Sequence, residues 1–127
     1  MTDAYPPFEL GYPRTELRRQ LVDAVLTGAK TATAGLWSEY EAEGEAVPSA
    51  GDRFVMHDFD DEPVAIVEVT DAKRVPASEI DVDFARDEGE GFESVEDWRV
   101  AHEDFFQQPI APETEIVAVR FRVVETI

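Results

Sequence analysis

The segment TGAKTATAGLWSEYE, residues 27–41, combines residue types that can do chemistry on a carbonyl group. Lys30 is one of only two lysines in a chain with 29 acidic residues, and Thr33 follows it three positions later. A protonated lysine can stabilise a developing oxyanion, and an unprotonated lysine can act as a base. A threonine hydroxyl can act as a nucleophile once a neighbouring group activates it.

The position of Lys30 bears on these two roles. Gly28 ends a predicted helix just before it, and the helix dipole there favours the charged ammonium over the neutral base. A purely structural lysine that bonds the last helix carbonyls in solvent is also consistent with the sequence. Thr31 and Thr33 are two positions apart, so we expect both to point to the same side of a strand, and strand propensity alone could explain them.

A Gly-rich acidic segment supplies candidate carboxylates. Glu88 and Glu90 alternate with Gly89 and Gly91, which let the backbone bend close to a ligand. A carboxylate in this segment could orient Lys30, or it could act as a general acid after partial burial. A solvated acidic loop is the simpler alternative.

Aromatic and basic side chains supply candidate binding residues. Trp37 and Tyr40 lie just after the Lys-Thr pair, where an aromatic ring could stack on a nucleobase. Arg120 and Arg122 lie on the polar face of the last predicted strand, where they could line the same opening or pair with surface carboxylates. The candidate binding residues are therefore Trp37, Tyr40, Glu90, Arg120 and Arg122.

We expect neither a metal nor a cofactor. The chain has no cysteine and only two histidines, which gives no set of zinc ligands. The acidic residues 81–88 do not fit an EF-hand loop, because Arg86 stands where that loop needs glycine. His102 shares a predicted helix face with Trp98, which favours a structural histidine over a catalytic one.

The charge balance limits the partners. The formal net charge is −18, which repels polyanions at long range, so long RNA is disfavoured and a small or neutral ligand is not. Without an apolar run of about 20 residues, no membrane span is expected. The first residues do not resemble a signal peptide, so we expect a soluble cytoplasmic protein. The oligomeric state stays open.

Hydrophobic periodicity places the candidate residues in one α+β domain, residues 13–127, after an extended arm, residues 1–12. Pro13 and Thr15 begin the first predicted helix. Strands are predicted at residues 30–37, 52–59, 63–75 and 115–124, and a short helix at residues 80–86. Ser94 is expected to cap a further helix. The apolar stripe of that helix comprises Val95, Trp98, His102 and Phe105, with Phe106 beside it.

Four short segments of the sequence together resemble the ASCH domain family of the PUA-like superfamily, in particular its small single-domain members. They are GAKTAT, AGD before a strand, EGEGFESVEDWRVAHEDFF, and the final FRVV. The resemblance extends over residues 15–124. It implies a PUA-like mixed β-barrel flanked by helices, with a cleft associated with RNA or modified nucleosides.

The resemblance also implies an activity and its residues. In the nucleoside amidohydrolases of the family, a Lys, a Thr and a Glu act together on N4-acetylcytidine. These fall on Lys30, Thr33 and Glu88, with Glu90 next in line for the Glu, and we expect the three to converge on one cleft. Other members resemble single-strand ribonucleases or non-catalytic RNA-binding or nucleotide-binding modules. Gly35 stands where the family motif often has Arg, which disfavours a phosphate-contacting role.

Overall fold

A four-stranded sheet forms the centre of the molecule. The structure is a computed structural model, and it describes residues 5–8, 10 and 15–127. In chain order the elements are α1 (Glu16–Leu26), β1 (Ala32–Leu36), α2 (Trp37–Glu43), β2 (Arg53–His57), β3 (Pro63–Pro76), a 3₁₀ turn (Ala77–Glu79), α3 (Val82–Asp87), α4 (Val95–Phe106) and β4 (Glu115–Thr126). The strand order is β1-β4-β3-β2, and all neighbours pair antiparallel.

The sheet curls into a half-barrel with helices beside it, which confirms the predicted α+β fold. Bulges between Ile66 and Val67 and between Val69 and Asp71 interrupt the pairing of β3 with β4. Such bulges bend a strand and increase its twist, which lets the long β3 follow the curve. Within the described residues, the one parallel pairing is the isolated bridge from Pro7 to Val55.

The side of the sheet covered by α1 and α2 is called the α1 face. Alternate residues of β4, namely Val117, Val119 and Phe121, point to this side. The buried residues of α1 that cover it are Leu21, Val22 and Val25. Trp37 and Tyr40 cover the part of this face nearest to β1.

The side covered by α3 and α4 is called the α4 face. It receives the intervening residues of β4, Ile116 and Ala118, together with Ala32 of β1. Phe84 of α3 and Trp98 of α4 pack against them. Because neighbouring strand residues point to opposite faces, Thr33 lies across the sheet from the Ala32 side chain.

The buried stripe of α4 differs from the one predicted. Trp98 and His102 are buried, and Phe106 packs against the same cluster one turn later. Phe105 is 52% exposed and Val95 is also exposed, so their expected burial is wrong. Burial follows the spacing i, i+4, i+8, which keeps side chains on one face of a helix.

Phe8, a described residue of the predicted arm, packs against β2 and β4. Phe8 N donates to Val55 O at 2.8 Å, and the Phe8 ring lies 4.8 Å from the Phe121 ring. Pro13, where the first helix was expected to begin, lies outside the described residues. None of the helices in the described part of the chain is long and apolar enough to cross a membrane.

Ser94→Ala is expected to destabilise the protein by about 1 kcal/mol, because the Ser94 hydroxyl accepts from Asp97 N at 3.0 Å and caps α4. Thr15→Ala is the matched control, since Thr15 stands at the N-cap of α1 but makes no side-chain cap hydrogen bond. Urea unfolding measures both variants. Equal losses would contradict the assigned cap.

Candidate functional site

Lys30 lies between α1 and β1, with its side chain buried under the α4 face. Gly28, with φ +85°, turns the chain after α1, and Lys30 N donates to Ala24 O at 2.9 Å. The residue is only 2% exposed. Its sequence position suggested a solvated lysine as one alternative, and the structure excludes that alternative.

Oxygen atoms surround the Lys30 ammonium. Nζ donates to Ala32 O at 2.9 Å, to Glu88 O at 3.2 Å and to Glu90 Oε2 at 3.4 Å, and Glu88 Oε1 lies 3.6 Å away. A protonated lysine has three donors and no acceptor, so this shell fits the ammonium. A neutral amine would present a lone pair to oxygen acceptors. The shell thus favours a stabilising charge over a base.

Glu88 connects Lys30 to helix α4. It follows α3 directly and is 1% exposed. Its Oε2 accepts a short hydrogen bond from Trp98 Nε1, and its Oε1 lies 3.2 Å from His102 Nε2. Both carboxylate oxygens are therefore held by side chains on successive turns of α4.

Lys30, Glu88, Glu90 and His102 form one cluster of titratable side chains, called the Lys30 cluster. His102 is the member that lies on α4. Its Nδ1 lies 2.8 Å from Trp98 O, and its ring stacks on the Trp98 ring with centroids 4.4 Å apart. Burial lowers the pKa of His102, but the hydrogen bond and charge of Glu88, together with the Trp98 carbonyl and the charge of Glu90, outweigh burial and leave the pKa above its usual value. The imidazolium is therefore favoured by its surroundings.

The cluster reaches solvent at Glu90. The side chain of Glu90 is 28% exposed, whereas those of Lys30 and Glu88 are almost fully buried. The rings of Phe92 and Phe106 lie 5.7 and 5.8 Å from the His102 ring. A ligand would meet the Glu90 carboxylate first.

Gly89 lets the two halves of the site approach each other. At φ +69°, a Cβ on Gly89 would lie 2.4 Å from Ala29 O. Next to this contact, Thr31 N donates to Asp87 O at 2.7 Å. The sequence predicted that the backbone at this glycine would bend close to a ligand. In the structure it lies against the backbone of Ala29, just before β1.

The structure does not bring Thr33 to Lys30 and Glu88. Thr33 pairs with Val119 in the sheet and lies on the α1 face, whereas the Lys30 cluster lies under the α4 face. Lys30 lies before β1 and not within it, so the alternation of side chains along the strand does not place Lys30 on the same face as Thr33. The expected convergence of three residues is limited to Lys30 and Glu88, with Glu90 beside them.

The candidate aromatic residues also lie on the α1 face. Trp37 packs under the guanidinium of Arg74, which is 4.1 Å from the ring centre. The ring of Tyr40 covers Gly35 so closely that a Cβ there would be 3.0 Å from it. The ring of Tyr40 thus lies against the position where the family motif often has arginine.

The candidate arginines are paired with carboxylates. Arg120 Nη1 lies 2.6 Å from Asp87 Oδ2, and Arg122 Nη2 lies 2.8 Å from Glu68 Oε2. Arg120 borders a cavity of about 120 Å³ whose other charged lining residues are Asp71, Lys73, Glu79 and Asp81. These pairings leave no continuous basic strip running from Lys30 along these two arginines.

Sequence reasoning missed Trp98 and His102 as partners of Glu88. Their i, i+4 spacing places them on one side of α4, and a buried indole N–H requires an acceptor. That requirement was the available signal for a buried carboxylate nearby. Within the described part of the chain, no group of three or more His, Asp or Glu side chains is arranged to hold a metal ion.

Comparisons with known proteins place the chain in a family. A family model of the ASCH domain matches residues 10–125. The crystal structure of an ASCH domain from Lactobacillus crispatus JV V101 is 27% identical, with a TM-score of 0.79, and the match covers 96% of this chain and 82% of that one. No curated protein matches.

A second crystal structure gives a similar match. It is a protein of Enterococcus faecalis V583 assigned to the family DUF984, with 28% identity and a TM-score of 0.80. The match covers 91% of this chain and 74% of that one. The two structures and the family model confirm the resemblance found in the sequence.

Gly89→Ala is expected to lose at least about 2 kcal/mol more stability than Gly91→Ala, because its Cβ meets a backbone oxygen that cannot move aside. Gly91 is the matched control: its φ is also positive, at +87°, but a Cβ there would meet nothing within 4 Å. Urea unfolding of both variants gives the difference in the free energy of unfolding. Similar losses in the two variants would contradict the close backbone contact between Gly89 and Ala29.

Proposed function

The chain belongs to the ASCH domain family, and we propose that it hydrolyses the acyl-amide bond of a modified pyrimidine nucleoside such as N4-acetylcytidine. One observation carries the proposal. The Lys30 ammonium is buried between two carboxylates, and one of these, Glu90, is partly open to solvent. The site therefore offers a fixed positive charge next to a base that a ligand can reach.

The energetics of burial support a functional role for this cluster. Removing charges from water costs several kcal/mol per ion, and a buried ion pair is often no more stabilising than apolar residues of the same volume. Perturbed and buried titratable groups concentrate at functional sites. Lys30, Glu88 and His102 are all buried within one hydrogen-bonded group.

The proposed reaction uses Glu90 as the base and Lys30 as the stabilising charge. Glu90 takes a proton from a water molecule, whose oxygen attacks the acyl carbonyl carbon. As Glu90 takes up this proton, the Lys30 N–H that Glu90 accepted can turn to the oxyanion that forms, and Lys30 stabilises that oxyanion. The C–N bond then breaks, and the N4 nitrogen takes the proton from Glu90. The products are the carboxylic acid and the free amino group of cytidine.

The other candidate residues have more limited places in this proposal. Glu88 holds Lys30 and does not contact the substrate, because both of its oxygens are already engaged. Thr33 is left out as a nucleophile because it lies on the α1 face. Base stacking on Trp37 and Tyr40 is left out for the same reason.

The binding and cleavage of RNA are supported less well. A net charge of −18 opposes a long anionic strand, whereas a free nucleoside meets no such penalty. Single-strand binding uses a positively charged groove. Here Arg120 and Arg122 are paired with carboxylates, and Lys30 is buried. These observations favour the free nucleoside over a ribonuclease or an RNA-binding module.

Glu90→Gln is expected to lower kcat/KM on N4-acetylcytidine by at least about 100-fold, because an amide cannot accept the proton of the attacking water. Release of cytidine, followed by chromatography, measures the reaction. Glu93→Gln is the matched control, an exposed carboxylate three residues away in the same loop. No cytidine release by the wild type, or full activity of Glu90→Gln, would contradict the proposal.

Lys30→Arg is expected to retain part of the activity, whereas Lys30→Ala loses at least about 100-fold in kcat, because a guanidinium keeps the positive charge. Circular dichroism checks that both variants fold. Lys73→Ala removes the other lysine, which is 65% exposed, and should leave kcat unchanged. Equal and complete loss in the two folded Lys30 variants would contradict the stabilising role.

A further inference from the structure

We propose that His102 is a positioning residue that shares one proton with Glu88 through their hydrogen bond. This proton keeps the group formed by Lys30, Glu88 and His102 positively charged. The shared proton follows from the geometry of the pair. Its effect on the reaction rests on the proposed function. His102 itself does not contact the substrate in this proposal, since Glu88 lies between it and Lys30.

The contacts of His102 require a proton on this pair. Nδ1 lies 2.8 Å from Trp98 O, and a carbonyl oxygen only accepts, so Nδ1 carries a hydrogen. Nε2 lies 3.2 Å from Glu88 Oε1. A neutral ring and an ionised carboxylate would place two lone pairs against each other. One proton, on Nε2 or on Oε1, turns this contact into a hydrogen bond.

Glu88 Oε1 transmits the effect to Lys30. The other oxygen, Oε2, is held by Trp98 Nε1, which leaves Oε1 facing both His102 Nε2 and Lys30 Nζ. The titratable groups that face His102 are Glu88 and Glu90, and Lys30 lies next to both. The proton shared by His102 and Glu88 therefore adds one positive charge at Glu88 Oε1, besides that of Lys30.

The charges of the cluster show what the proton does. With it, Lys30, Glu88 and His102 together carry +1, and Glu90 brings the four groups to zero. Without it, the three carry no net charge, and the four carry −1. A buried site tolerates an uncompensated charge poorly. An oxyanion on the substrate is stabilised more strongly while the three groups are net positive.

This arrangement predicts an alkaline limit to the reaction. As pH rises through the pKa of the Glu88–His102 pair, the wild type should lose at least about tenfold in kcat/KM, the size of effect that one nearby charge produces in a partly buried site. In His102→Gln this loss should be absent. The variant should instead be uniformly slow, at about the level that the wild type reaches above the limit.

Nuclear magnetic resonance tests the shared proton without any turnover. In the folded wild type at pH 6.5, we expect the chemical shifts of the His102 ring nitrogens and of the Glu88 carboxyl carbon to show one of two states. Either both His102 nitrogens are protonated, or Glu88 is protonated. Glu88→Gln should move the titration of His102 to lower pH by at least about one unit, since a carboxylate partner is lost. Asp104→Asn, an exposed change on the same helix, should not move it.

The outcomes separate the inference from the proposed function. A neutral His102 with an unprotonated Nε2 beside an ionised Glu88 would overturn the shared proton. A shared proton combined with an unchanged alkaline limit in folded His102→Gln would overturn the positioning role. A shared proton in a protein that releases no cytidine would support the geometric half of the inference and overturn the proposed function alone.

Discussion

A charged ammonium buried beneath the α4 face constrains every element around it. Lys30 must find oxygen acceptors without water, because an unpaired buried charge costs far more than a lost surface contact. The acceptors come from three parts of the chain: the start of β1, the end of α3 and the loop that follows α3. Two of these parts are held by contacts of their own. Gly89 allows the loop to lie against Ala29, and Trp98 and His102 hold the Glu88 side chain.

The same constraint connects the fold to the proposed chemistry. The half-barrel brings β1 and β4 together, and α3 and α4 close over one side of them. This packing leaves Glu90 as the partly exposed carboxylate beside a fixed positive charge. A positive charge held in this way is already in place when an oxyanion forms, and such preorganised charge is a main source of electrostatic catalysis. In the proposed function, the net charge of −18 opposes a polyanion but not a neutral nucleoside.

Much of the fold could be predicted from local patterns. The alternation in EIVAVRFRVV identified β4, and Ser94 marked the start of α4. Only the family resemblance predicted that Lys30 lies near Glu88, because the two residues are 58 positions apart and no local pattern connects them. Two expectations failed because they depended on the direction of side chains. Phe105 points to solvent because Phe106, one position later, packs on the buried side of α4. Thr33 lies across β1 from the Ala32 side chain, and only the packing around β1 decides which face each of those two residues joins.

Lys30 is a buried ammonium held by Glu88 and Glu90, and its side-chain nitrogen can be observed directly. Because the chain has only two lysines, ¹⁵N-lysine labelling gives two side-chain signals that can be assigned by substitution of Lys73. At neutral pH, the Lys30 signal should be that of an ammonium whose protons exchange slowly with water, and Glu88→Gln should shift it. The exposed Lys73 should exchange fast. A Lys30 signal that exchanges as fast as that of Lys73, or that belongs to a neutral amine, would contradict the account.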